Sequence, residues 1–135
     1  MRRALFTAGG KRMTDNTPQA LTAPMLRKTL FVVTTMPARG PGIAEVLPEH
    51  LAYQVALERE GRLFGAGPLF EPDSDIPYGG MIILRAADLA EAKVLADRDP
   101  FHAKGLRSYT VSRWMLNEGG MTFTVRFSDQ SVLID

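Results

Sequence analysis

A chain of 135 residues with sixteen basic and fifteen acidic side chains, and no cysteine, has room for one domain with a real core, because chains of this size bury roughly two-thirds of the surface they expose unfolded. The lack of cysteine excludes disulfides and thiolate metal sites, and no apolar run approaches the roughly 20 residues of a membrane helix. Six basic residues (Arg2, Arg3, Lys11, Arg12, Arg27, Lys28) against Asp15 make residues 1–28 basic, so the remainder is acidic, which argues against phosphate-backbone recognition by the folded part.

Residues 1–28 read as a flexible, solvated basic extension. Their one apolar patch, Ala4-Leu5-Phe6, is too short for the core of a secretion signal, and a soluble cytoplasmic protein without a membrane partner is expected. The run Leu30-Phe-Val-Val-Thr-Thr-Met36 is β-branched and aromatic and predicts a buried strand over 29–36. Turn residues Pro37 to Gly42 follow. A helix is expected over about 48–60, with Pro48 at its first position and Gly61 as its stop. Projected at 100° per residue, Leu47, Leu51 and Val55 form one row and Tyr53 and Leu57 another. His50, Gln54 and Glu58 fall between these rows, so His50 faces protein or a cavity rather than open water.

Residues 62–70 alternate as a second strand. Gly65 and Gly67 mark a bulge or a close approach, and Pro68 marks an edge or a strand end. A turn-rich loop over 71–80 leads to a third strand, 81–85. Asp88 and Glu91 have the spacing of a capping box for a second helix, which stops near Asp99 because Pro100 disfavours helical geometry before it. A fourth strand covers 106–116, with Trp114 near its end. Gly119-Gly120 separates it from a terminal hairpin, 121–127 with 132–134.

The order β-α-β-β-α-β plus a hairpin is the split βαβ, ferredoxin-like arrangement of an α+β fold. Residues 29–117 form the domain, and 118–135 extend the same domain. With both helices on one face of an antiparallel sheet, the other face needs cover. A second copy of the chain is the natural one, giving a homodimer or a larger assembly locked by the hairpin.

Taken together, His50 early in the first helix, Gly61-Arg-Leu-Phe-Gly-Ala-Gly-Pro-Leu69, Asp99-Pro100-Phe101, Gly105-Leu106 and Trp114 resemble the YciI-like family, the YCII-related domain, over about 29–117. The resemblance implies a dimeric α/β barrel built from two ferredoxin-like chains. It also implies an active-site histidine and aspartate, which by motif are His50 and Asp99. A relative of assigned chemistry removes chloride from a chlorinated hydroxyhydroquinone, so isomerase or lyase chemistry of dehydrochlorinase type is the implied activity.

Imidazole moves protons at neutral pH, and a carboxylate on its second nitrogen fixes the tautomer. The competing reading makes His50 a histidine pinning its helix and Asp99 a cap for the turn at Pro100. Gly65, Gly67 and Pro68 serve either as the floor of a substrate pocket or as a packing bulge, and Tyr53, Phe64 and Trp114 either line that pocket or fill the core. Arg62 and Arg107 are candidate anion ligands with solvated surface as the plainer role, and His102 reads as a surface residue. The two histidines lack metal-ligand spacing, so neither metal nor organic cofactor is expected. The leading reading is a cofactor-independent enzyme acting on a small aromatic or lactone-like molecule between sheet and first helix; the alternative is a non-catalytic small-molecule-binding or assembly module.

Overall fold

The structure is a computed structural model that describes residues 15–135; the first fourteen residues of the expected basic extension lie outside that range. In chain order the elements are α1 (Pro18–Thr22), β1 (Lys28–Met36), α2 (Ile43–Arg59), β2 (Leu63–Phe70), β3 (Pro77–Leu84), α3 (Leu89–Asp97), α4 (Pro100–Ala103), β4 (Ser108–Leu116), β5 (Phe123–Val125) and β6 (Val132–Ile134). Lys28–Met115 make one compact unit, and the remaining described residues group into a second.

In the larger unit β1 to β4 form a four-stranded antiparallel sheet in the order β2-β3-β1-β4, with β1 and β3 in register at Phe31↔Leu84 and Val33↔Ile82. Alternation along the strands sends Phe31, Val33, Ile82 and Leu84 toward Leu57 of α2 and Ala92, Leu95 and Ala96 of α3, all nearly inaccessible to water. A smaller cluster joins Ile43 and Val46 of α2 to Phe101 of α4. Pro68 lies in β2, an edge strand, as its missing N–H requires. The register shifts between Leu63 and Gly65, where the glycines had suggested a bulge.

Several boundaries differ from the sequence reading; β4 begins at Ser108 rather than 106, and β5 spans only Phe123–Val125 rather than 121–127. α2 begins at Ile43, so Pro48 lies inside the helix and His50 is in its third turn rather than at its head. The extra turn persists because Ile43 and Val46 are buried on Phe101, which outweighs the hydrogen bond lost at proline. At the other end the reading holds: Gly61, at φ 75°, lets its own N–H reach the Glu58 carbonyl and that of Arg62 reach Leu57, at 3.0 and 2.8 Å.

β3 starts at Pro77, not 81. Gly79 and Gly80 are strand residues because β1 passes so close that a Cβ on Gly79 would lie 2.5 Å from the Thr35 carbonyl oxygen. Finally, α3 ends at Asp97, and Pro100 opens a separate turn of helix, α4, capped by Asp99.

In the smaller unit, Thr17 caps α1 by accepting from the Ala20 N–H, and the Leu26 N–H donates to the Asn117 carbonyl at 3.2 Å. β5 and β6 pair antiparallel from Phe123↔Ile134 to Val125↔Val132. Among the described residues no helix is long and apolar enough to cross a membrane.

Candidate functional site

Asp99 is the residue on which the site is built. Pro100 ends α3, leaving Asp99 in an extended conformation (φ −58°, ψ 127°) from which its carboxylate turns back over the start of α4. Oδ1 accepts the Phe101 N–H at 2.9 Å, Oδ2 accepts Gln54 Nε2 at 2.9 Å, and both oxygens lie 2.9 Å from His50 Nδ1. The side chain is 1% exposed. A buried carboxylate is tolerable only when donors surround it, and three separate groups do so here.

Because an ionised carboxylate only accepts, His50 Nδ1 must carry the hydrogen, which leaves Nε2 as the lone-pair nitrogen of the neutral ring. Nε2 makes no hydrogen bond among the described residues. The imidazole is further fixed by stacking on Phe101, ring centroids 4.4 Å apart and planes 28° from parallel. Phe101 itself is fully buried. The ring therefore has one orientation, one tautomer and one free nitrogen.

That nitrogen belongs to a side chain lining a cavity of about 460 Å³ between α2 and the strands β2 and β3. His50, Gln54 and Glu58 all line it, as the helical projection indicated, together with the aliphatic row Leu47, Leu51 and Val55. Gly67 and Pro68 of β2 and Gly79 and Gly80 of β3 supply backbone surface opposite. A Cβ at Gly67 would meet nothing within 4 Å, so the missing side chain there leaves room for a ligand.

The other expected pocket residues are not among the lining. Tyr53 points to the core, donates its hydroxyl to the Leu95 carbonyl at 2.7 Å and packs beside Leu57; desolvation holds its pKa above the ordinary tyrosine value. Leu63 packs on the helix-side core, so its neighbour Phe64 turns to the far face, under the Arg85 guanidinium at 5.2 Å. Gly65 sits at the register shift and not against the cavity. Trp114 is displaced by the same alternation: Tyr109 and Val111 face the helix-side core, so Trp114 faces away from it.

Several lining residues were not placed in the pocket from the sequence, although Arg107 was a candidate anion ligand. Arg107 lines the cavity instead of the solvated surface, its guanidinium carbon 4.0 Å from the Phe101 ring centroid and Nη2 donating to the Ala38 carbonyl at 3.2 Å. Its proximity to Phe101 was concealed because the turn at Gly105 is a tertiary feature, though Arg107 does follow the Gly105-Leu106 motif directly. Thr35 also lines the cavity, at the end of β1. His102 is half-buried rather than a free surface residue, placed between the Ala96 carbonyl (2.7 Å from Nδ1) and Thr35 Oγ1 (2.8 Å from Nε2).

The YCII-related domain matches residues 28–115, about two-thirds of the chain. Among curated proteins, Protein YciI of Escherichia coli O6:H1 and Protein YciI of Shigella flexneri are each 39% identical over 66 residues, a span that covers 45% of this chain and 67% of theirs. Among solved structures, the 5-chloro-2-hydroxyhydroquinone dehydrochlorinase of Burkholderia phenoliruptrix AC1100, in complex with 2,5-dihydroxybenzoquinone, aligns with a TM-score of 0.50 at 22% identity. The alignment covers 63% of this chain and 92% of that one. At that identity the likeness is one of fold.

Proposed function

This chain belongs to the YCII-related domain family, and we propose that it is a small-molecule enzyme in which His50, oriented by Asp99, moves protons on a substrate held between α2 and the sheet. The observation that carries the reading is the pairing of His50 Nδ1 with both oxygens of a 1%-exposed carboxylate, 2.9 Å away, while the other ring nitrogen is left unbonded on a side chain that lines a cavity. A histidine serving only to pin a helix needs neither the unbonded nitrogen nor the cavity.

The chemistry is redox-neutral. Nε2 takes a proton from carbon or oxygen, and Asp99 offsets the charge that the ring then carries. The electron pair released forms a double bond and either expels a leaving group such as chloride or a ring carboxylate, or takes the proton back at another carbon. The first course is elimination and the second isomerisation, and neither consumes an electron carrier. A small aromatic or lactone-like molecule suits a cavity with aliphatic and glycine walls. Support for the elimination branch comes from the structural neighbour, a dehydrochlorinase.

The test is turnover by the full chain and by His50→Ala: chloride release from 5-chloro-2-hydroxyhydroquinone, and solvent-deuterium incorporation into a panel of unsaturated lactones followed by NMR. Wild-type turnover of at least one compound, reduced about 100-fold or more in the variant, is the expected result. Equal rates in the two proteins, or binding with no turnover of any compound, would remove the catalytic reading and leave a binding module.

A further inference from the structure

Arg107 is a cation without an anion. It lines the cavity, is half-buried, and makes no ion pair within 4.0 Å among the described residues. Of the five N–H donors of a guanidinium, one on Nη2 goes to the Ala38 carbonyl, and Nε–H is buried without a partner. Three donors on the two terminal nitrogens remain. Desolvation lowers the Arg107 pKa from its ordinary value, opposed by the charge of Asp99. Charges withdrawn from water are ordinarily paired, and Asp99 cannot serve as the close partner because its oxygens are taken by His50, Gln54 and the Phe101 N–H.

We propose that Arg107 is the anion-binding residue of this cavity, and that the molecule bound there is a small organic monoanion, a carboxylate or an enolate, with its charged oxygens on the guanidinium and its apolar body against the aliphatic row of α2. Two observations fix the direction in which such a molecule lies. His50 and Arg107 stack on the same phenyl ring, at 4.4 and 4.0 Å from the Phe101 centroid; laid end to end these distances put the imidazole and the guanidinium no more than about 8 Å apart. The oxygens held by Arg107 therefore lie within a few bonds of the atom that His50 reaches. Glu58, the other charged lining residue of α2, is eight residues past His50, roughly 12 Å along the helix axis. Its carboxylate repels negative charge at that end, so a monoanion is seated charge-first toward Arg107, and a dianion charged at both ends is disfavoured. In an apolar cavity a guanidinium also binds an oxyanion that develops during proton removal more tightly than the neutral precursor, so the same residue lowers the barrier to removing a proton next to a carbonyl or carboxylate.

This inference rests on the cavity being the substrate site, but its test does not depend on turnover. Benzoate and its neutral counterpart benzamide are titrated into the full chain, followed by ligand-observed NMR up to about 10 mM, with wild type, Arg107→Met, Arg107→Lys and His50→Ala. Wild type should bind benzoate about 10-fold or more tightly than benzamide, His50→Ala should keep that preference, Arg107→Lys should keep part of it, and Arg107→Met should lose it while binding benzamide as wild type does. Equal binding of the two probes by wild type, no benzoate binding at all, or a preference that survives Arg107→Met would overturn the assignment. A preference that persists in a protein with no turnover leaves the anion site standing and removes only the catalytic reading; His50-dependent turnover with no preference does the reverse.

Discussion

Asp99 fills two roles that the sequence had set against each other. It caps α4 through the Phe101 N–H and it holds His50, so the structural and the chemical reading of this residue describe one carboxylate seen from two sides. Replacing it by asparagine turns one acceptor oxygen into a donor facing other donors. Asp99→Asn should therefore lose about 2–4 kcal/mol of stability in urea unfolding, from hydrogen bonds to a charged group and from buried donors left unpaired. Gln54→Leu is the informative contrast. Gln54 Oε1 is already buried without a partner, so removing the whole amide gives up one bond to Asp99 together with one unsatisfied acceptor, and should cost less than about 1.5 kcal/mol. A loss as large as that of Asp99→Asn would mean that the amide, rather than the carboxylate, organises the site.

Between elements, the tightest approach is that of β3 to β1. Gly79→Ala would place a Cβ 2.5 Å from the Thr35 carbonyl, forcing the two strands apart beside the cavity; a destabilisation of about 1–3 kcal/mol is expected, whereas Gly67→Ala, with nothing within 4 Å, should leave stability unchanged and reduce only ligand affinity. β4 is tied to the end of α3 by the Tyr109 hydroxyl, which donates to Asp97 Oδ1 at 2.5 Å. Desolvation first, and then the bond to and charge of Asp97, push the Tyr109 pKa from 10.0 up to about 12. The neutral phenol is the form that the fold favours, so its contribution is complete below pH 10 and is lost as pH rises toward 12. Over that window wild type should lose more stability than Tyr109→Phe, and equal losses would show that the bond does not hold β4 to α3.

The order of elements and the polar stripe of α2 were legible because periodicity and capping are local. His50, Gln54 and Glu58 did face a cavity, and Asp88 did cap α3. The start of α2, the strand role of Gly79-Gly80 and the orientation of Trp114 were not legible, since each is decided by a partner distant in sequence: Phe101 for Ile43, Thr35 for Gly79, and the alternation of the whole of β4 for Trp114. Arg107 was legible as a candidate anion ligand but not as a cavity residue, because no local rule separates a cavity arginine from a surface one.

For the molecule as a whole, the unsolved matter of the single chain is exposed apolar surface. On the hairpin, Phe123, Val125, Val132 and Ile134 are 58–67% exposed, and an isolated two-stranded hairpin is marginally stable in water. On the sheet unit, Phe64, Phe70 and Trp114 are also exposed. Surfaces of this kind mark contacts with other chains, and a second copy is the expected cover. Light scattering on the full chain at micromolar concentration should give a dimer or a larger assembly, and the double substitution Val125→Glu with Ile134→Glu should weaken it. A monomeric mass for the unmodified chain would contradict this.

The catalytic proposal for the cavity converges on one ring nitrogen. Its state is directly measurable in the ligand-free protein by long-range ¹H–¹⁵N correlation of the histidine rings at a pH where they are neutral. The geometry at Asp99 predicts that His50 carries its hydrogen on Nδ1 and leaves Nε2 bare, and that Asp99→Asn abolishes this preference. Finding the hydrogen on Nε2 in the wild-type protein would remove His50 as the base and would contradict the proton-transfer reading at its source.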